Sequence, residues 1–175
     1  YEKAIADFTK AIELDPADSY NYYERGLAFR GNEQYNEALA SYLKAEELDK
    51  DKNLAKSRAL YNDMAVTYSL LDQKEKALEY YTKEIEISPD WHLGYRNRAY
   101  IYQNNLKDYE KAEADYTKAI EMDPENYENY YQRGCFYSWT LEDYEKAIAD
   151  FTKAIELDPE DPYNYFQRGD AYRYN

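Results

Sequence analysis

Sixteen residues, YEKAIADFTKAIELDP, stand at Tyr1–Pro16 and recur letter for letter at Tyr144–Pro159. Looser copies lie between them. An alanine returns at Ala4, Ala38, Ala77, Ala112 and Ala147, with spacings of 34, 39, 35 and 35. A second series of small residues, Gly26, Ala65, Ala99, Gly134 and Gly169, is spaced 39, 34, 35 and 35. Two interleaved series with one period are the mark of stacked repeats. A unit of this size cannot cover its own apolar side, so each must lean on its neighbours.

Each unit reads as two helices. Tyr130, Gly134 and Tyr137 fall on one face of a first helix, at i, i+4 and i+7. Ala147, Phe151 and Ala154 do the same on a second helix, joined by Ile148, Ile155 and Leu157. Leu141–Asp143 forms the turn, with Asp143 as N-cap. Pro159 stops the second helix, and Asp161 followed by Pro162 starts the next. Gly26, Gly134 and Gly169 sit mid-helix, where glycine costs about 1 kcal/mol against alanine. Close approach of the partner helix is the expected cause.

Charged residues make up 33% of the chain and aromatic residues 18%, with 24 tyrosines, so the chain is not a disordered acidic segment. The formal net charge of −14 argues against a nucleic-acid backbone or an anionic membrane as partner. That charge reads as a solvated surface. Cys135 is the only cysteine, which excludes a disulfide within the chain. No apolar run approaches the roughly 20 residues of a membrane span, and no signal peptide is visible. The chain begins in mid-repeat, so the natural N-terminus is expected upstream, and the compartment is left open.

These residues resemble the tetratricopeptide repeat, a helix–turn–helix unit of about 34 residues. The first-helix aromatic is Tyr22, Tyr61, Tyr95, Tyr130 and Tyr165, and the later one is Phe29, Tyr68, Tyr102, Tyr137 and Tyr172. The second-helix aromatic is Phe8, Tyr42, Tyr81, Tyr116 and Phe151; the closing proline is Pro16, Pro89, Pro124 and Pro159. The resemblance covers essentially the whole chain. It implies an all-α fold, an α-solenoid of about ten helices wound as a right-handed superhelix, with a concave groove lined mainly by first helices. The units run 1–16 (half), 19–52, 58–91, 92–126, 127–161 and 162–175 (half). Lys50 replaces a closing proline, and five extra residues, Asn53 to Ser57, make Asn53–Leu71 one lengthened helix in expectation. Glu84 stands where other units carry Ala11, Ala45, Ala119 and Ala154, so packing there should differ and the stack should be locally irregular. The last two full units each carry one extra turn residue.

An arginine precedes the small residue as Arg25, Arg98, Arg133 and Arg168; Met64 takes that slot in the third unit. An aspartate precedes the second-helix aromatic as Asp7, Asp115 and Asp150, with Ser41 and Tyr80 elsewhere. The expected pairs are inter-repeat, each acid with the arginine of the following unit: Asp7 with Arg25, Asp115 with Arg133, Asp150 with Arg168. First-helix residues off the packing face should line the groove: Tyr20, Tyr23, Leu27, Arg30, Asn62, Val66, Arg96, Asn97, Tyr100, Tyr131, Cys135, Trp139 and Phe166. Aromatics and arginine are the usual anchors of an interface. Some members of the family bind a chaperone's C-terminal carboxylate through a lysine–asparagine clamp. Here Tyr23, Asn62, Arg96, Tyr131 and Phe166 occupy the slot of the first clamp lysine, so that ligand is not expected.

Catalysis has no constellation to support it. His92 is the sole histidine, one histidine and one cysteine do not make a zinc site, and carboxylate pairs such as Glu46–Glu47 read as solvated surface. No metal or cofactor is expected. The leading reading is a non-enzymatic scaffold that binds a peptide or protein segment in an aromatic groove. The alternatives are the regulatory or targeting part of a larger enzyme and an array that stacks head to tail through its terminal helices.

Overall fold

The computed structural model describes residues 1–49 and 54–175. Lys50 and Asn53, on which two expectations fall, lie outside the described residues. Among those described there are ten α-helices and no strand: α1 (Glu2–Leu14), α2 (Ser19–Gly31), α3 (Tyr35–Leu48), α4 (Leu54–Leu70), α5 (Lys74–Ile87), α6 (His92–Ile101), α7 (Tyr109–Met122), α8 (Tyr127–Phe136), α9 (Tyr144–Leu157) and α10 (Pro162–Tyr174). The chain divides into two compact units, Tyr1–Pro89 and Asp90–Asn175. Within the first, α1 to α5 pack each on the next; within the second, α6 to α10 do the same.

The helix ends follow the local chemistry. Asp143 accepts from the backbone N–H of Lys146, and Asp161 from that of Tyr163 with Pro162 at the first helical position. Each second helix of the second unit stops at an aspartate, Asp123 or Asp158, followed by Pro124 or Pro159.

The extra residue of the longer repeats is not in the turn. It is taken up in the last turn of the first helix, which becomes π-helical at Tyr102–Leu106 after α6 and at Tyr137–Leu141 after α8. The N–H groups of Asp108 and Asp143 bond back to the carbonyls of Tyr102 and Tyr137. In the shorter repeats the closing bonds run from Gln34 to Phe29 and from Gln73 to Tyr68, one residue fewer. A single insertion is cheapest to absorb as one widened turn. The turn itself is kept, with one residue left-handed in every case: Glu33, Asp72, Lys107 and Glu142.

Alanines and aromatics meet in the interior. In the second unit Ala99, Ala112, Tyr116, Phe136, Ala147, Phe151 and Ala171 share one core. Two of the mid-helix glycines, Gly26 and Gly134, are explained by rings. A Cβ on Gly134 would lie 2.8 Å from the Phe151 ring, and one on Gly26 would strike Tyr42. The side chain that demands the gap is therefore the second-helix aromatic of the same repeat.

Candidate functional site

The arginine–aspartate pairs form within a repeat, which corrects the inter-repeat expectation. Arg98 Nε donates to Asp115 Oδ2 at 2.7 Å and Nη2 to Oδ1 at 2.9 Å. Arg133 grips Asp150 in the same bidentate way, both bonds 2.8 Å. Asp7 is exposed and Arg25 donates instead to Ser41 at 3.2 Å, in its own repeat. Met64 and Tyr80, both buried, hold the two slots in the third unit, so acid and base are lost together inside one hairpin. What crosses between repeats is a hydroxyl: Arg133 Nη1 donates to Thr117 at 3.0 Å, and Arg168 Nη1 to Thr152 at 3.2 Å.

In the first unit, α2 and α4 are tied by one carboxylate. Tyr23 Oη donates to Asp63 Oδ2 at 2.7 Å, and Arg30 Nη1 lies 2.8 Å from Oδ1. Sequence reasoning placed Tyr23 and Arg30 on this face but missed Asp63, which organises them. Its signal was an acid beside Met64, where the arginine is absent. Tyr20 and Tyr23 also line an open cavity of about 230 Å³ with Ser19, Ala45, Asp49, Ala59 and Leu60. Leu27, Asn62 and Val66 are half-buried on the same two helices.

The second unit has a more polar cavity of about 190 Å³, lined by Arg96, Asn97, Tyr100, Tyr116 and Gln132. Arg96 lies 3.3 Å from Glu128 of α8. Gln103 accepts from Tyr116 and donates to Thr140, which joins the widened turns after α6 and α8. Trp139 is exposed and lines a further cavity with Ser138, Glu142, Tyr144, Asp170 and Tyr174. Phe166 is exposed on α10, whereas Tyr131 is half-buried with its ring 6.0 Å from that of Phe151.

Two residues leave the expected list of surface groups. Cys135 is 5% exposed and sits in the core, where burial pushes its thiol up to about 12. Glu46, read as solvated, accepts from Tyr80 at 3.0 Å and from Lys83 at 3.1 Å, binding α3 to α5. Glu113 of α7 accepts in turn from Tyr137 in the widened turn after α8 and from Lys146 of α9. His92 is buried, its Nδ1 3.0 Å from Asn129 Oδ1, and serves to join α6 to α8. Among the described residues no group of three or more His, Cys, Asp or Glu is placed to hold a metal ion, and no helix is long and apolar enough to cross a membrane.

A tetratricopeptide repeat model matches residues 59–90, 95–126 and 127–161, and a second model of the same description matches 8–40. The chain belongs to the tetratricopeptide repeat family. The photosystem I assembly protein Ycf3 of Rippkaea orientalis is 33% identical over 85 residues, 49% of this chain and 48% of that protein. The chain spans about half the length of the curated relatives it matches. A tetratricopeptide repeat protein from Parabacteroides merdae superposes with a TM-score of 0.80 at 24% identity, covering 98% of this chain and 65% of that one. YrrB, described as a repeat protein with an unusual peptide-binding site, superposes with a TM-score of 0.72 at 24% identity, covering 98% and 83%. These likenesses establish the all-α solenoid fold.

Proposed function

We propose that this tetratricopeptide-repeat chain is a non-catalytic scaffold that holds an extended or helical peptide segment against the exposed faces of its first helices. The carrying observation is that six residues expected from sequence to face a ligand, Tyr20, Tyr23, Arg96, Asn97, Tyr100 and Trp139, line open cavities within the two compact units. Aromatic surface with amide and guanidinium groups at its edge suits a peptide: the rings cover side chains and the polar groups meet backbone. The helices that carry these residues are already packed, so binding costs little ordering. The comparison with YrrB supports the reading to the extent that a protein of the same fold is described as binding a peptide.

A display library of random peptides selected on this chain tests it. Tyr20→Ala and Tyr100→Ala remove rings that are 48% and 56% exposed, so helicity should not change. Selected peptides should lose binding to one or both variants by about tenfold or more. Peptides that bind both variants as well as the parent would show that the ligand face lies elsewhere.

A further inference from the structure

Twice within the fold the chain seats one of its own lysines on a tyrosine in the same way. Lys83 Nζ lies 4.1 Å from the centre of the Tyr80 ring and 5.7 Å from that of Tyr61, and Glu46 accepts from both the lysine and the Tyr80 hydroxyl. Lys146 Nζ lies 4.9 Å from the centre of the Tyr137 ring, and Glu113 accepts from that lysine and that hydroxyl. The reason is electrostatic. The face of a tyrosine ring is negative and attracts a cation. A hydroxyl that donates to a carboxylate makes the ring richer in electrons, and the carboxylate supplies the counter-charge.

The open cavity of the first unit repeats the rings and the carboxylates. Tyr20 and Tyr23 have ring centres 6.4 Å apart at 41°, against 5.9 Å and 52° for Tyr61 and Tyr80. The Tyr23 hydroxyl donates to Asp63, and the Tyr20 hydroxyl is bonded to Glu24. The bond to Glu24 raises the Tyr20 phenol above its ordinary value, and burial with the bond to Asp63 raises that of Tyr23, so both stay neutral. Asp49 stands half-buried on the cavity wall. Among the described residues its carboxylate takes one bond, from Ser57 to Oδ2 at 2.8 Å. Arg30 answers the charge of Asp63, and no lysine or arginine is among the described residues that line the cavity.

We propose that this cavity is the subsite for a basic side chain, lysine or arginine, of the peptide that the chain holds. The methylenes lie against the Tyr23 ring and the apolar wall of Ala45, Ala59 and Leu60, and the charge meets Asp49. Size agrees with a single side chain: about 230 Å³ is less than the roughly 300–1,000 Å³ of a site for a whole drug-sized molecule. Charge agrees too, since the wall and the groups behind both rings are acidic and the chain carries a formal net charge of −14. The proposal rests on the peptide-binding reading and names the chemistry of one of its contacts.

Calorimetric titration of the chain with peptides selected from the random library tests the proposal. Peptides that lose binding to Tyr20→Ala should carry a lysine or arginine whose exchange for norleucine, which keeps the stem and drops the charge, weakens binding by about tenfold or more. Asp49→Asn keeps an oxygen for Ser57, so its helicity should be unchanged. It should weaken the parent peptide by a similar factor and leave the norleucine peptide unaffected. A norleucine peptide that binds the unaltered chain as tightly as its parent overturns the proposal and marks the cavity as a plain apolar pocket. An equal loss of both peptides in Asp49→Asn overturns it too, since Asp49 would then not be reading charge. Peptides sensitive to Tyr100→Ala but not to Tyr20→Ala overturn this proposal and leave the scaffold reading standing; peptides sensitive to neither overturn both.

Discussion

At the residue scale, the small and charged positions of the repeat do different work in different copies. Gly134 and Gly169 have the same sequence neighbours to the N-terminal side but opposite surroundings. Gly134→Ala should destabilise the fold by about 1–3 kcal/mol, because Phe151 is fully buried and has nowhere to retreat. Gly169→Ala should stabilise it by about 0.5–1 kcal/mol, since nothing opposes the added methyl and alanine is the better helix former. Thermal unfolding of the two variants side by side checks the opposite signs. For the ion pairs, a double-mutant cycle on Arg133 and Asp150 should show coupling of about 1–3 kcal/mol, as both side chains are mostly buried and doubly bonded. The same cycle on Asp150 and Arg168 should show none. Coupling found in the second cycle and absent from the first would reinstate the inter-repeat pairing.

At the element scale, the longer repeats widen a helix and leave the loop alone. The widening keeps a left-handed residue at the same point of every hairpin, and none of the four is glycine. A residue with a side chain pays about 1 kcal/mol for that conformation. Lys107→Gly and Glu142→Gly should therefore raise stability, by up to about 1 kcal/mol each after the greater freedom of glycine in the unfolded chain is counted. Chemical denaturation midpoints give the measurement, and a fall in both would mean that these side chains contribute contacts that outweigh the strain. The helices themselves were readable because their signals are local: periodic apolar positions, Asp143 and Asp161 as caps, Pro159 as a stop. The widened turn was not, because one added residue fits a loop or a helix equally well by count.

At the scale of the whole molecule, Glu84 is the departure with a global readout. It replaces an alanine of the repeat, α5 runs through it unbroken, and it is 1% exposed. Burial pushes its carboxyl up from 4.5 to about 7; Arg58 pulls it down and Asp63 pushes it up further. A carboxyl raised on folding favours the folded state while protonated. Its contribution is full below about pH 4.5 and is lost as pH rises through about 7. Glu84→Gln should accordingly be more stable than the parent at pH 8, by on the order of 2 kcal/mol, with the difference vanishing near pH 4.5. Unfolding followed by circular dichroism across that range decides it; a difference that is constant with pH would show that the carboxyl is not carrying a raised affinity for its proton.

The period of the chain, its helix pairs, the alanine and glycine positions and the oddity of Glu84 were determined by sequence alone, because each depends on residues within one repeat. Partner choice was not. Asp115 lies seventeen residues from Arg98 and eighteen from Arg133, roughly symmetric about the two turns that flank α7, so spacing gives either arginine an equal claim. Only the tertiary structure decides, by turning the aspartate toward its own first helix and the threonine two residues later toward the next. Cys135 and Glu46 follow the same rule: helical periodicity places them on a face, but whether that face meets solvent or a neighbouring helix is settled by which helix packs there.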